Sequence, residues 1–165
     1  MTTATAPARV RAFTTGDLIY RFDARLAEMY PIGLFSEGIR FHNDFEGTIV
    51  DGPFKGARIF GLDPFLLRPD GIGVIDAPEV IDDGATRVSV HVRGYVVPPE
   101  GMEMPPLEAL LAPGFAFPDV DFRVTASGII RTADPAYAAL NATVAIIEGT
   151  VNLATGRLVV EARAA

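Results

Sequence analysis

Apolar and polar residues alternate with period two through most of the chain. From Asp17 onward, Leu18, Tyr20, Phe22, Ala24 and Leu26 fall on one side, with Arg21, Asp23 and Arg25 on the other. Successive side chains of a strand point to opposite faces, so this spacing predicts a half-buried strand. Tyr30-Pro31-Ile32-Gly33 is predicted to end it. A second run, GIRFHNDFEGTIV, sets Ile39, Phe41, Phe45 and Ile49 against Arg40, His42, Asp44 and Glu46. After the Asp51-Gly52-Pro53 turn, ARIFGLD begins a third strand, and Pro64 marks an edge, a bulge or a strand start.

Residues 65–97 read as a meander of three short strands joined at Asp70-Gly71 and Asp83-Gly84. Asp-Gly between apolar runs signals a hairpin, because the turn needs positive φ at its centre. In the last of these strands Val88, Val90 and Val92 oppose Ser89, His91 and Arg93. FRVTASGIIRT, NATVAIIEGTV and RLVVEARA are the remaining strands, the last two joined around Ala154-Thr155-Gly156. Two short helical segments interrupt the pattern: one over 105–111 that starts at a proline, and AYAALN after the cap-and-proline pair Asp134-Pro135.

Eight or nine short strands with two helical fragments predict a mainly-β chain. A single antiparallel β-barrel is preferred to a sandwich, since closure removes exposed strand edges. Residues 1–14 are expected to be a flexible arm and 15–165 the barrel domain. The Pro- and Gly-rich stretch 98–120 carries Met102, Met104, Phe115 and Phe117. It is too apolar for a free linker, so it is expected either to flap over a cavity mouth or to plug one end of the barrel.

Composition narrows the function classes. At 49% apolar and 21% charged, the 165 residues are globular in character. A net charge of −7 argues against nucleic acid, whose phosphates call for clustered cations. The start of the chain lacks the apolar core of a signal peptide, and no apolar run approaches the ~20 residues of a membrane span. No membrane partner and a cytoplasmic location are therefore expected. With no cysteine, thiolate metal sites and disulfides are excluded. Lys55 is the only lysine and sits in a Pro/Gly-punctuated turn, so Schiff-base chemistry has little to work with.

The candidate chemistry lies in acids embedded in apolar strands. Asp76, within IGVIDAPEVI, shares a face with Ile72 and Val74. If that face lines a cavity, desolvation raises the carboxyl toward the range of a general acid or base. The other reading is a structural aspartate satisfied by backbone amides or by Arg68 or Arg123. Glu148, on the face of Val144 and Ile146, is a second such acid, and Asp63, before Pro64, is a third that equally suits a turn. His42 and His91 are the natural proton carriers near neutral pH. Each lies on the charged face of its strand, which is outside in a small barrel; a polar lumen would bring His91 and Tyr95 into the site. Tyr137 and Asn141, four apart, could point together. No His-x-His pair, serine elbow or phosphate loop is present, so neither metal nor cofactor is expected.

The order of motifs resembles a bacterial family, domain of unknown function 3237. These are GxFxGxRxxG over Gly52 to Gly61, LLRPDG, a strand carrying IDA, DDGA before a valine-rich strand, then FRVTA and PAYAALN. The resemblance implies a compact antiparallel barrel with an internal cavity. It carries over Arg40, Arg68, Asp70, Asp76, Asp83, Tyr137 and Asn141 as the matching polar positions. Pro78 and Ala139 depart from it, where members often carry an arginine and a large aromatic, and both changes widen or depolarise a cavity.

The expected catalytic residues are therefore Asp76, His91 and Glu148, and the expected substrate-binding residues are Arg40, Arg68, Tyr95, Arg123, Tyr137 and Asn141. Two functions fit them. One is a cofactor-independent acid/base enzyme, a lyase or isomerase acting on a small hydrophobic carbonyl or aromatic compound. The alternative is a non-catalytic barrel that binds or carries such a molecule. Assembly as a homo-oligomer is left open.

Overall fold

The computed structural model describes residues 11–165. Most of the arm expected over 1–14 therefore lies outside the described residues, although the Arg11 N–H donates to the Ala136 carbonyl at 2.9 Å. Nine strands follow: β1 (Leu18–Phe35), β2 (Gly38–Asp51), β3 (Arg58–Asp63), β4 (Leu66–Leu67), β5 (Gly73–Asp82), β6 (Arg87–Val97), β7 (Asp121–Thr132), β8 (Val144–Asn152) and β9 (Arg157–Ala164). All are paired antiparallel. The ring runs β1-β9-β8-β7-β6-β5-β3-β2 and closes through β2 with β1; β4 bridges β2 and β5 where β3 has ended. The closed eight-stranded antiparallel barrel with one extra strand agrees with the expected fold.

β1 is longer than its sequence predicts. Instead of ending at Tyr30, it continues to Phe35 against β2, with a register shift between Pro31 and Gly33. Pro31 pairs with Phe41 on one side, while β9 has already left β1 at Arg25. A proline lacks the N–H that a second neighbour would need, and among the described residues there is no second neighbour here. Both Asp-Gly turns form as predicted, with Gly71 at φ 81° and Gly84 at φ 89°.

The core fills the barrel. On β5, Ile75, Ala77 and Ile81 point inward; on β6, Val88, Val90, Val92 and Val96; on β7, Phe122, Val124, Ala126 and Ile130. One end is closed by the 3₁₀ segment Pro135–Ala142, whose Leu140 is fully buried and whose Tyr137 ring lies 4.6 Å from that of Phe54. Asp134 caps it by accepting from the Ala136 N–H. At the other end, residues 98–120 connect β6 to β7 and include the single turn α1 (Leu107–Leu110). Met102, Met104, Leu107, Phe115 and Phe117 of this connection pack against the core. Asn152 ties it down by donating to the Asp119 and Asp121 carboxylates at 2.8 and 3.2 Å.

Candidate functional site

The barrel encloses an apolar lumen. Its void measures about 650 Å³ including the open mouth, yet only about 70 Å³ can hold the centre of a water molecule, so the space is narrow. Phe22, Phe45, Phe65 and a ring of valines form most of the wall. The polar lining consists of Tyr20, Asn43, Asp63 and Glu79.

Strand pairing brings these four together. Asn43 on β2 stands opposite Asp63 on β3, and Glu79 on β5 stands opposite Gly61 on β3. Both ladders place their inward side chains on the lumen face. Tyr20 arrives from β1, its ring stacked 6.0 Å from that of Phe22. Tyr20, Asn43 and Glu79 are all buried, and one polar side-chain atom of each (Tyr20 Oη, Asn43 Oδ1, Glu79 Oε2) meets no partner among the described residues. Buried polar atoms are nearly always hydrogen-bonded, so three orphans on residues that line one cavity give its wall unspent hydrogen-bonding capacity.

Burial sets the electrostatics. It pushes the Glu79 carboxyl up to about 8, and the neighbouring Asp63 charge adds to the rise. Asp63, half-buried, is raised to about 6 by desolvation, although it accepts from the Asp76 N–H at 3.1 Å. Tyr20 is raised by burial and by the Glu79 charge. At neutral pH the lumen thus holds one protonated and one ionised carboxyl side by side.

Of the three embedded acids singled out from sequence, Asp63 lines the lumen, but the nine residues expected to form the site lie elsewhere. Asp76 is on the outer wall, where its Oδ1 meets His91 Nε2 at 2.7 Å and accepts from Arg93 Nε at 3.0 Å. Those contacts, His91 first, hold its carboxyl below the ordinary range rather than above it. The reason is register: Asp76 pairs with Arg93 and Pro78 with His91, so the unambiguous valine face of β6 sends the odd residues of β5 inward. Asp76 reaches the lumen only through its backbone N–H. Glu148 is also external, between Thr125 and Glu161. Arg40 pairs with Glu37, Arg68 with Asp70, and Arg123 reaches toward Thr125 on the outside. Tyr95 is half-exposed at 51%. Tyr137 belongs to the closed end. Asn141 fastens the 3₁₀ segment to β7, its Oδ1 accepting from the Thr132 N–H and its Nδ2 donating to the Thr132 carbonyl. Of the nine expected site residues, the structure joins only Asp76 and His91, and on the outer wall.

The lumen residues were partly readable. Tyr20 and Asn43 each lie on the apolar face of an alternating run, and Asp63 is one of the three embedded acids. Glu79 is the one missed. Its signal is cross-strand: counted from the β5–β6 turn, it pairs with Val90 of the apolar face.

No protein-family model and no curated protein sequence matches the chain. Among the described residues, no helix is long and apolar enough to cross a membrane. Solved structures do match. A conserved protein of unknown function from Rhodopseudomonas palustris superposes with a TM-score of 0.65 at 19% identity, over 94% of this chain and 99% of that one. A beta-barrel like protein from Acinetobacter baumannii gives 0.66 at 20%, over 90% and 94%. A protein of unknown function from Clostridium acetobutylicum gives 0.66 at 18%, over 90% and 97%. The chain therefore has the fold of a small β-barrel group whose solved members include proteins of unknown function.

Proposed function

We propose that the lumen is an acid–base site that works without a cofactor, as a lyase or isomerase, on a small hydrophobic carbonyl or aromatic compound. The observation that carries this reading is the set of buried, unpartnered polar atoms of Tyr20, Asn43 and Glu79 around one cavity. Two carboxyls with separated, raised pKa values are the equipment of an acid and a base. The Asp63 carboxylate takes a proton from the carbon beside a carbonyl. The protonated Glu79 carboxyl, with the Tyr20 hydroxyl, donates to the carbonyl oxygen, so an enol forms and the charge never stands bare in the apolar lumen. Returning the proton elsewhere on the carbon frame isomerises the compound; expelling a β-hydroxyl as water dehydrates it. Residues 98–120 serve as the flap, since they leave β6 beside Val96 and return beside Val124, both of which line the lumen.

The test is exchange of α-hydrogens. In D₂O at pH 7, the protein should speed deuteration of the methyl group of 4-hydroxyacetophenone, read by proton NMR. Asp63→Asn should reduce the acceleration by roughly 10² or more, the usual worth of a positioned base. Exchange that is equally fast in Asp63→Asn and Glu79→Gln would remove the enzyme reading. The carrier reading draws on the mostly apolar wall. It predicts a hydrophobic molecule retained through purification and visible by native mass spectrometry, with no exchange activity.

A further inference from the structure

The polar groups of the lumen fall into two rows along β3. In one, Asn43 stands opposite Asp63. In the other, Glu79 stands opposite Gly61, and Tyr20 is close enough for the Glu79 charge to act on its hydroxyl. Gly61 and Asp63 are two residues apart on one face, so at about 3.3 Å per residue the rows are separated by roughly 7 Å. An α-carbon lies about 2.4 Å from its carbonyl oxygen, by the ordinary C–C and C=O bond lengths. With about 3 Å from the base to the α-carbon and about 2.7 Å from the carbonyl oxygen to its donor, this unit bridges about 7 to 8 Å. Removing a proton two carbons further out would need about 2.5 Å more. The rows thus suit an α-carbon beside Asp63 and a carbonyl oxygen at Glu79 and Tyr20.

We infer that the lumen dehydrates small uncharged β-hydroxy ketones, with Asn43 holding the hydroxyl that leaves. This inference rests on the reading of the lumen as the substrate site. Asn43 shares the row of the base, and its Oδ1 meets no partner among the described residues. A hydroxyl on the β-carbon donates to that oxygen and stays within reach of the Asp63 carboxyl opposite. The Asp63 carboxylate removes the α-proton while Glu79 protonates the carbonyl oxygen, giving the enol. The enol then returns its hydroxyl proton to Glu79 and re-forms the carbonyl. Its C=C electron pair moves between the α- and β-carbons, and the bond from the β-carbon to oxygen breaks. That oxygen leaves as water with the proton Asp63 had taken, so both carboxyls end as they began. Moving the carbonyl of an α-hydroxy ketone finds no proton carrier here. It needs a second base in the Asp63 row to take the hydroxyl proton while Asp63 holds the one from carbon, and the Asn43 amide cannot serve. Among the described residues no Arg, Lys or His lines the lumen, so a carboxylate or phosphate on the substrate would be buried without a counter-ion.

Three matched ketones test this on the full chain at pH 7: 3-hydroxy-1-phenylbutan-1-one, its 2-hydroxy isomer and unsubstituted 1-phenylbutan-1-one. Ultraviolet absorbance reads formation of the conjugated enone from the 3-hydroxy compound, and proton NMR in D₂O reads α-exchange and any movement of the carbonyl. The enone should form at least roughly 10² faster than in buffer, the usual worth of a positioned acid or base. The 2-hydroxy isomer should exchange its α-hydrogen and keep its carbonyl in place. Asn43→Leu should lower the ratio of enone formation to α-exchange in the unsubstituted ketone about tenfold, the worth of one hydrogen bond. The comparison of the three ketones needs only the native protein, so it decides the matter even where the variant fails to fold. Exchange without enone formation, or carbonyl movement in the 2-hydroxy isomer as fast as dehydration, overturns the inference while leaving proton transfer standing. An Asn43→Leu ratio equal to the native one overturns it too. If no ketone exchanges and no enone forms, the lumen reading falls with it.

Discussion

A carboxyl's role here is decided by which side of the barrel wall it occupies. Asp76 and Glu79 are three residues apart on β5, yet Asp76 is held ionised by His91 and Arg93 while Glu79 is held neutral by burial. The two should respond oppositely to substitution. Asp76→Asn should leave α-hydrogen exchange within about twofold of the native rate, since only its backbone N–H touches Asp63; a collapse of exchange in a well-folded variant would return the site to the outer wall. Glu79→Gln should keep the fold, because Gln resembles the protonated acid, and should lose most of the exchange. The native pH profile should be a bell with limbs near 6 and 8, belonging to the coupled pair. The ascending limb is deprotonation of the base and the descending limb is loss of the acid's proton. The groups that face the pair are each other and Tyr20, and among the described residues no basic side chain lines the lumen to distort either limb.

At the scale of elements, strand parity governs both the site and its legibility. β2 and β6 have one apolar and one charged face, so their inward sides can be read directly, Asn43 included. β5 cannot be read alone: Ile75, Ala77 and Ile81 alternate with Val74 and Val80, and both faces carry acid, Glu79 on one and Asp76 and Asp82 on the other. Only pairing to β6 settles which acid is inside, and pairing is a long-range fact that a single strand does not encode. The strands, the Asp-Gly turns and the capped segment at Asp134 were legible because their causes are local. Pro31 was not, because its tolerance depends on the absence of a neighbour beyond Arg25. Two substitutions probe these elements. Asn141→Ala removes both ties between the 3₁₀ segment and Thr132, and should lower unfolding stability by about 1 to 3 kcal/mol while leaving lumen binding intact. Denaturant midpoints and titration with 4-hydroxyacetophenone check both halves, and lost binding in a stable variant would place Asn141 back among the ligand contacts. Gly61→Ala would set a methyl 2.6 Å from the Pro78 carbonyl oxygen and 2.8 Å from the Phe45 ring. It should cost about 1 to 3 kcal/mol and displace Phe45 into the lumen, with binding weakened in step.

For the whole molecule, two groups of carboxyls pull the pH dependence of stability in opposite directions. Those on the outer wall, such as Glu46, Asp76, Asp82 and Asp134, are held below their ordinary values by arginine, histidine, threonine and backbone contacts. Their contribution is present above the unfolded-state values and is lost as pH falls. Asp63 and Glu79 are raised, so theirs is complete below the unfolded-state values and is lost as pH rises through about 6 for Asp63 and about 8 for Glu79. Stability should therefore peak at mildly acidic pH and decline toward pH 9. At about 1.4 kcal/mol per unit, Glu79 accounts for at most about 4 kcal/mol of that decline. Urea unfolding of the native protein and Glu79→Gln between pH 5 and 9 checks this: the variant should lose most of the alkaline decline, and parallel curves would deny the burial its effect. Ring closure bears on when the lumen comes into being. β1 joins β9, so the first and last of the described strands share a seam, and Phe22 sits beside Val160 across it, both lining the lumen. While the chain is being synthesised, the wall stays open until residues 157–164 have left the ribosome and found β1. A molecule that lodges inside can therefore meet only a barrel whose β1–β9 seam has closed, and parting of that seam would open the lumen along its whole length.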